Sequence, residues 1–189
     1  MLKQIITETT DAVVAAVQGV DNILDAITST VKDQVVNVLQ GVGEVGTTTV
    51  ESVAAVASGA IQSAGKVGTS ITDTAANTMS GVVSGVSQVG GNVIDGVRGA
   101  AQGIVQGVAD TGGDVGSAAV GAVQGAIKAA GETGGDTAEA AKAAVGGALD
   151  AATSVGGDAA SKVREALLSA AALPHDVIES AIKGSDDKK

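Results

Sequence analysis

The sequence predicts an all-α protein built around one very long amphipathic helix, and three observations carry that expectation. Cut every eleven residues from Glu8, the chain falls into units such as TVKDQVVNVLQ, GVRGAAQGIVQ and AAVGAVQGAIK, with no insertion or deletion as far as KVREALLSAAA. Between residues 19 and 161 there are 14 acidic and 5 basic side chains, and none occupies columns 1, 2, 5, 6, 9 or 10 of the unit. Glycines follow the same frame: Gly46, Gly68, Gly90, Gly112, Gly134 and Gly156 fill column 6, while Gly59, Gly81, Gly103, Gly125 and Gly147 fill column 8, each series one every 22 residues.

Eleven residues in three turns is about 3.67 per turn, close to the natural helix, so the six uncharged columns close into one arc of roughly 160°. That arc holds Val42, Val45, Val53, Val56, Ile61, Val67, Val86, Val89, Val93, Ile94, Val97, Ile104 and Val108. An arc so wide exceeds the narrow seam of a two-stranded coiled coil. The hendecads, paired to 22, therefore predict helices assembled side by side or as a right-handed bundle. On this reading the two glycine series form slim flanks on either side of the apolar arc. Small residues there let neighbouring helix backbones approach closely.

Taken in order, the chain divides into four parts. Residues 1–39 continue the repeat with bulkier aliphatics, among them Ile5, Ile6, Ile23, Leu24, Ile27 and Leu39. Residues 40–161 form the Gly/Ala/Val-rich hendecad region. Residues 162–183 form a C-terminal cap or kinked helix: Pro174 lacks an amide hydrogen and disfavours helix at Leu173, so the long helix is expected to end near Ala172. A short helix beginning at Pro174 would bury Val177, Ile178, Ala181 and Ile182, with Leu167 and Leu168 packing against it as a hairpin. A simple kink stands as the alternative. Residues 184–189 are a charged, solvated tail.

Composition excludes several kinds of function. The chain has no Phe, Trp, Tyr or Cys among its 189 residues, 28 Gly, and a formal net charge of −10. No basic patch of the sort a nucleic-acid binder needs is present, and disulfides and thiolate metal sites are ruled out. The start MLKQIITETT lacks the apolar core of a secretory signal, and no run approaches the 18 or so apolar residues of a spanning helix. A location in the cytoplasm or on a lipid surface is expected. GVGEVG at 41–46 spells GxGxxG but follows no strand, and its glycines belong to the repeat. His175 is the only histidine. The pairs Asp110/Asp114 and Glu132/Asp136 lie on a polar helix face with no pocket to shift their pKa values. No catalytic, cofactor or metal residue is expected.

The segments GAAQGIVQGVADTGGDV and GAVQGAIKAAGETGGDT, at 99–115 and 121–137, resemble the repeats of the perilipins, lipid-droplet coat proteins. The resemblance spans roughly residues 40–160 and lies in the period, the Val/Ala/Gly/Thr face and the recurrent GxxQG phrases. It implies helices that fold on a neutral-lipid surface, although this chain is acidic where perilipin repeats carry more lysine. Three functional readings stand. The first is a non-catalytic structural protein that self-assembles laterally into a filament, tube or layer with a shared apolar face, its partner being itself. The second is a peripheral coat on neutral lipid or a membrane-like surface. The third is a length-setting rod in a larger particle such as a phage tail.

Overall fold

The computed structural model describes residues 2–42, 48–64 and 69–186. It is helical, as the period requires, but the expected single long helix is overturned. Among the described residues there are eight helices: α1 (Leu2–Val42), α2 (Thr48–Ala64), α3 (Ile71–Gln88), α4 (Val93–Asp110), α5 (Val115–Glu132), α6 (Thr137–Val155), α7 (Ala159–Ser169) and α8 (His175–Asp186).

Gly-Gly pairs followed by Asn or Asp break the helix, whereas Gly146-Gly147 lies within α6. At Gly90, Gly112 and Gly134, φ is 70°, 71° and 75°, in the left-handed region that any residue with a Cβ resists by about 1–2 kcal/mol. The amide N–H groups of Gly90 and Gly91 donate to the carbonyls of Ser87 and Val86 at 3.1 and 2.9 Å. Gly112 and Gly113 repeat this onto Ala109 and Val108, and Gly134 and Gly135 onto Gly131 and Ala130. This pair of bonds is the Schellman C-cap, which satisfies carbonyls the helix end would otherwise strand. The next residue starts the following helix. Asn92 Oδ1 accepts from the amides of Ile94 and Asp95, and Asp136 Oδ1 from those of Ala138 and Glu139. C-cap, two glycines and N-cap make a four-residue reversal, so successive helices run antiparallel.

The layout is a consequence of these reversals. Among the described residues, each helix packs on the next in the chain and on the next but one, and on no other. Odd-numbered helices α1, α3, α5 and α7 form one layer, and even-numbered α2, α4, α6 and α8 form the other. Within a layer neighbours are parallel: Gly99, Gly103 and Gly107 of α4 face Val50, Ala54 and Ser58 of α2 in rising order. This is a two-layer α-solenoid, in which every repeat contacts only its neighbours.

The apolar arc that a lone helix would expose is buried between the layers. Val53, Val82, Val83, Val86, Val97, Ile104, Val105 and Val123 are all buried, interleaved with alanines. The largest side chains removed from solvent are Met79, Ile104, Leu167 and Ile178. A core without aromatic rings has little contact area per residue. It offsets that by bringing helix backbones close together at glycines.

The C-terminal segment adopts the hairpin rather than the kink. α7 ends at Ser169, and α8 begins directly after Pro174, whose carbonyl accepts from the amides of Val177 and Ile178, both at 3.1 Å. Ile178 and Ile182 are buried and Val177 and Ala181 are half-buried. Leu167 is buried, whereas Leu168 is exposed.

Candidate assembly surface

From α1 to α6, the lateral contacts within each layer are built from glycine on one side and carbonyl oxygen on the other. A Cβ placed on Gly125 would stand 2.5 Å from the Ala76 carbonyl oxygen, and one on Gly81 would stand 2.6 Å from that of Thr28. Gly103 and Gly147 abut the carbonyls of Ala54 and Arg98 more tightly still. Side chains usually hold helix axes about 8–10 Å apart; at these points none intervenes. Close approach of Cα–H to a carbonyl is worth about 0.5–1 kcal/mol a contact, which offsets much of the helix propensity that glycine forgoes. Polar side chains tie the same neighbours together. Arg98 pairs with Asp150 between α4 and α6, and the Thr28 hydroxyl donates to Asn77 Oδ1 at 3.1 Å between α1 and α3.

The two glycine series thus occupy different places. Gly81, Gly103, Gly125 and Gly147 lie in helix interiors against the backbone of the preceding helix in their layer. Gly90, Gly112, Gly134 and Gly156 lie in the connections between helices, all with positive φ. Gly46 and Gly68 fall outside the described residues. Gly59 is in α2 and its would-be Cβ meets nothing within 4 Å. The close-packed flank also includes Gly85, Gly99, Gly107 and Gly121, each with a carbonyl within 3.0 Å of its would-be Cβ. Their signal in the sequence is the four-residue spacing of Gly99, Gly103 and Gly107, the small-xxx-small pattern of close helix pairs.

Of the apolar-face residues, Val53, Ile61, Val86, Val97, Ile104 and Val108 are buried, and Val56, Val93 and Ile94 are half-buried against the same core. Val89 is the C-cap of α3. Val45, Val67 and the side chain of Val42 lie outside the described residues.

The chain matches no protein-family model and no curated protein. What it offers a partner must therefore be read from its own surface. Among the described residues, no group of His, Cys, Asp and Glu is disposed to hold a metal, and no helix is long and apolar enough to cross a membrane. The Asp114 carboxyl is held below the ordinary carboxylate value, chiefly by the hydrogen bond from the Ser117 hydroxyl at 2.8 Å. Partial burial opposes this, while the amides of Gly116 and Ser117 and the nearby Lys162 charge reinforce it. These are the bonds of a helix N-cap, and they need no catalytic explanation.

The two ends of the solenoid differ in kind. At the C-terminal end α7 and α8 turn Lys162, Glu165, Asp176, Glu179 and Lys183 outward, with Lys183 Nζ 3.7 Å from Glu179 Oε2. A polar outer face is what a terminal repeat needs in order to stop the stack. At the N-terminal end, α1 and α2 leave a groove of about 500 Å³ lined by Ile23, Ala26, Ile27, Thr30, Val31, Gln34, Gly59, Ala60, Ser63 and Ala64. Among the described residues, no charged side chain lines it. Its wall on α2 is the same small-residue flank that elsewhere receives a neighbouring helix.

Proposed function

We propose that the protein is a non-catalytic structural element, a helical solenoid that self-associates through its open N-terminal end. One observation carries this reading: the last repeat is capped by charged side chains, while the first presents the uncharged, glycine-bearing flank with which α3, α4, α5 and α6 each bind the preceding helix of their layer. The chain's partner is accordingly another copy of itself. The burial of Val53, Val86, Val97, Ile104 and Val108 inside the chain favours this over a lipid coat, because those residues would have to leave the core to meet a lipid surface. The expected filament, tube or layer with a shared apolar face gives way to a smaller unit, since each chain supplies its own second layer.

Sedimentation velocity with far-ultraviolet circular dichroism, over about a hundredfold concentration range, tests the proposal through mass action. The expected result is a strongly helical protein with a discrete species heavier than the 17.9 kDa chain. A folded protein that stays at 17.9 kDa throughout overturns it.

A further inference from the structure

From α3 to α7, helices begin at residues 71, 93, 115, 137 and 159, 22 apart. The same spacing places a turn at residues 23–26. Later turns read Val89-Gly90-Gly91-Asn92, Thr111-Gly112-Gly113-Asp114 and Thr133-Gly134-Gly135-Asp136; here the chain reads Ile23-Leu24-Asp25-Ala26. Leu24 stands where the others have a left-handed glycine, a conformation its Cβ opposes. No turn forms, and α1 runs through for 41 residues where α3 has 18. Residues 5–22 hold the place of an even-layer helix in the repeat, yet the unbroken helix keeps them from folding back beside their own α2. The slot they would fill is the groove lined by Ile23, Ile27, Val31, Gly59, Ser63 and Ala64.

We propose that a second copy fills that slot, residues 5–22 of each chain lying along α2 of the other in a two-fold dimer. This inference rests on the self-association reading and specifies its interface. The directions agree. A folded-back helix would run antiparallel to α1 and parallel to α2. In the exchanged pair, two continuous α1 helices run antiparallel about residues 24–25, which puts each first half in that same orientation on the other chain. The interface is isologous and closes on itself, as a swapped element does. Register is set by the layer already built: Gly103 faces Ala54 and Gly147 faces Arg98, in each case 49 residues back. Gly59 then meets the backbone at Thr10 of the second copy, and Ser63 meets Val14. The dimer continues the lateral contact of α2, α4 and α6 by one more helix.

The chain contains no cysteine, so introduced thiols report a single pair. Mixing Val14→Cys with Ser63→Cys chains and oxidising should give a disulfide-linked dimer joining one of each. Replacing Leu24, Asp25 and Ala26 in one chain (L24G/D25G/A26N) should restore the turn and halve the mass in solution, with helicity retained. A wild-type chain that is monomeric at every concentration overturns the self-association reading and this inference together. A chain that associates without the 14–63 disulfide, or whose turn-restored variant keeps its mass, overturns the exchange alone. So does a Val14→Cys/Ser63→Cys double variant that closes only within one chain. Flotation of a monomeric wild type with phosphatidylcholine vesicles would assign the slot and the helix to lipid and overturn the exchange as well.

Discussion

Glycine has opposite consequences at positions that look alike in the sequence, and the difference lies in what stands beside each one. Gly103→Ala gains about 1 kcal/mol of helix propensity but drives a methyl group into the Ala54 carbonyl, and overpacking of that kind costs about 1–3 kcal/mol or more. Net destabilisation is expected. Gly146→Ala, with nothing within 4 Å, should instead stabilise by roughly 0.5–1 kcal/mol. Urea midpoints of the two variants check both signs. A second residue-scale prediction concerns Asp114. Its folded pKa lies below the unfolded value of about 3.8, so its contribution is present above that value and is lost as pH falls through the folded pKa. Asp114→Asn keeps the cap geometry and removes the charge. Wild type should exceed it by a few tenths to about 1 kcal/mol near pH 6 and match it near pH 2; a difference unchanged between the two sinks the assignment. At this scale the sequence was legible in identity but not in placement. The column 8 glycines read as close-packing flanks, and Gly81, Gly103, Gly125 and Gly147 do abut backbone. The column 6 glycines read the same way, although a left-handed residue followed by Gly and an Asx N-cap is a stop-and-restart signal.

Helices and turns explain why that signal was masked. An 18-residue helix and a four-residue reversal together make 22, two hendecads, so the eleven-residue frame passes through each turn without a slip. Charge segregation survives for the same reason, because every helix re-enters the core in the phase the last one left. Periodicity alone therefore cannot distinguish one long helix from a folded stack of short ones. Only the local chemistry of Gly-Gly-Asx separates them, and where it is missing, at Leu24-Asp25-Ala26, the long helix does persist. The C-terminal hairpin was more readable, since Pro174 punctuates it and the spacing of Val177, Ile178, Ala181 and Ile182 marks the inner face. Its role as a cap makes a prediction at this scale. Ile178 is among the largest fully buried side chains, and Ile178→Ala should cost about 2–5 kcal/mol by loss of burial and the cavity left behind. The exposed neighbour Glu179→Ala should change stability by less than about 0.5 kcal/mol. Equal effects in thermal melts would mean that α8 is not seated on α6 and α7.

For the whole molecule, the quasi-linear architecture decides what a change in repeat number does. Removing residues 92–135 deletes two helices and two turns and joins Gly91 to Asp136, so a Gly-Gly-Asp reversal still links α3 to the helix after it. α6 then takes the place of α4 beside α2, with Gly147 in the register of Gly103, and α7, which carries no glycine, takes that of α5 beside α3. The shortened chain should fold cooperatively with the same N-terminal end. Small-angle scattering should show each chain shorter by one lateral helix step, which the glycine contacts hold below the usual spacing of about 8–10 Å. A rod made of one continuous helix would instead lose about 66 Å on losing those residues at about 1.5 Å each. Repeat number sets the length of the stack, whereas the first and last repeats set what it joins. The deletion touches neither α1 with α2 nor α7 with α8, so the stoichiometry of association should match that of the intact chain. A deletion that folds but changes stoichiometry would place the interface on the outer faces of the middle helices. One that leaves stoichiometry unchanged, while loss of residues 1–22 abolishes association, would place it at the uncapped end.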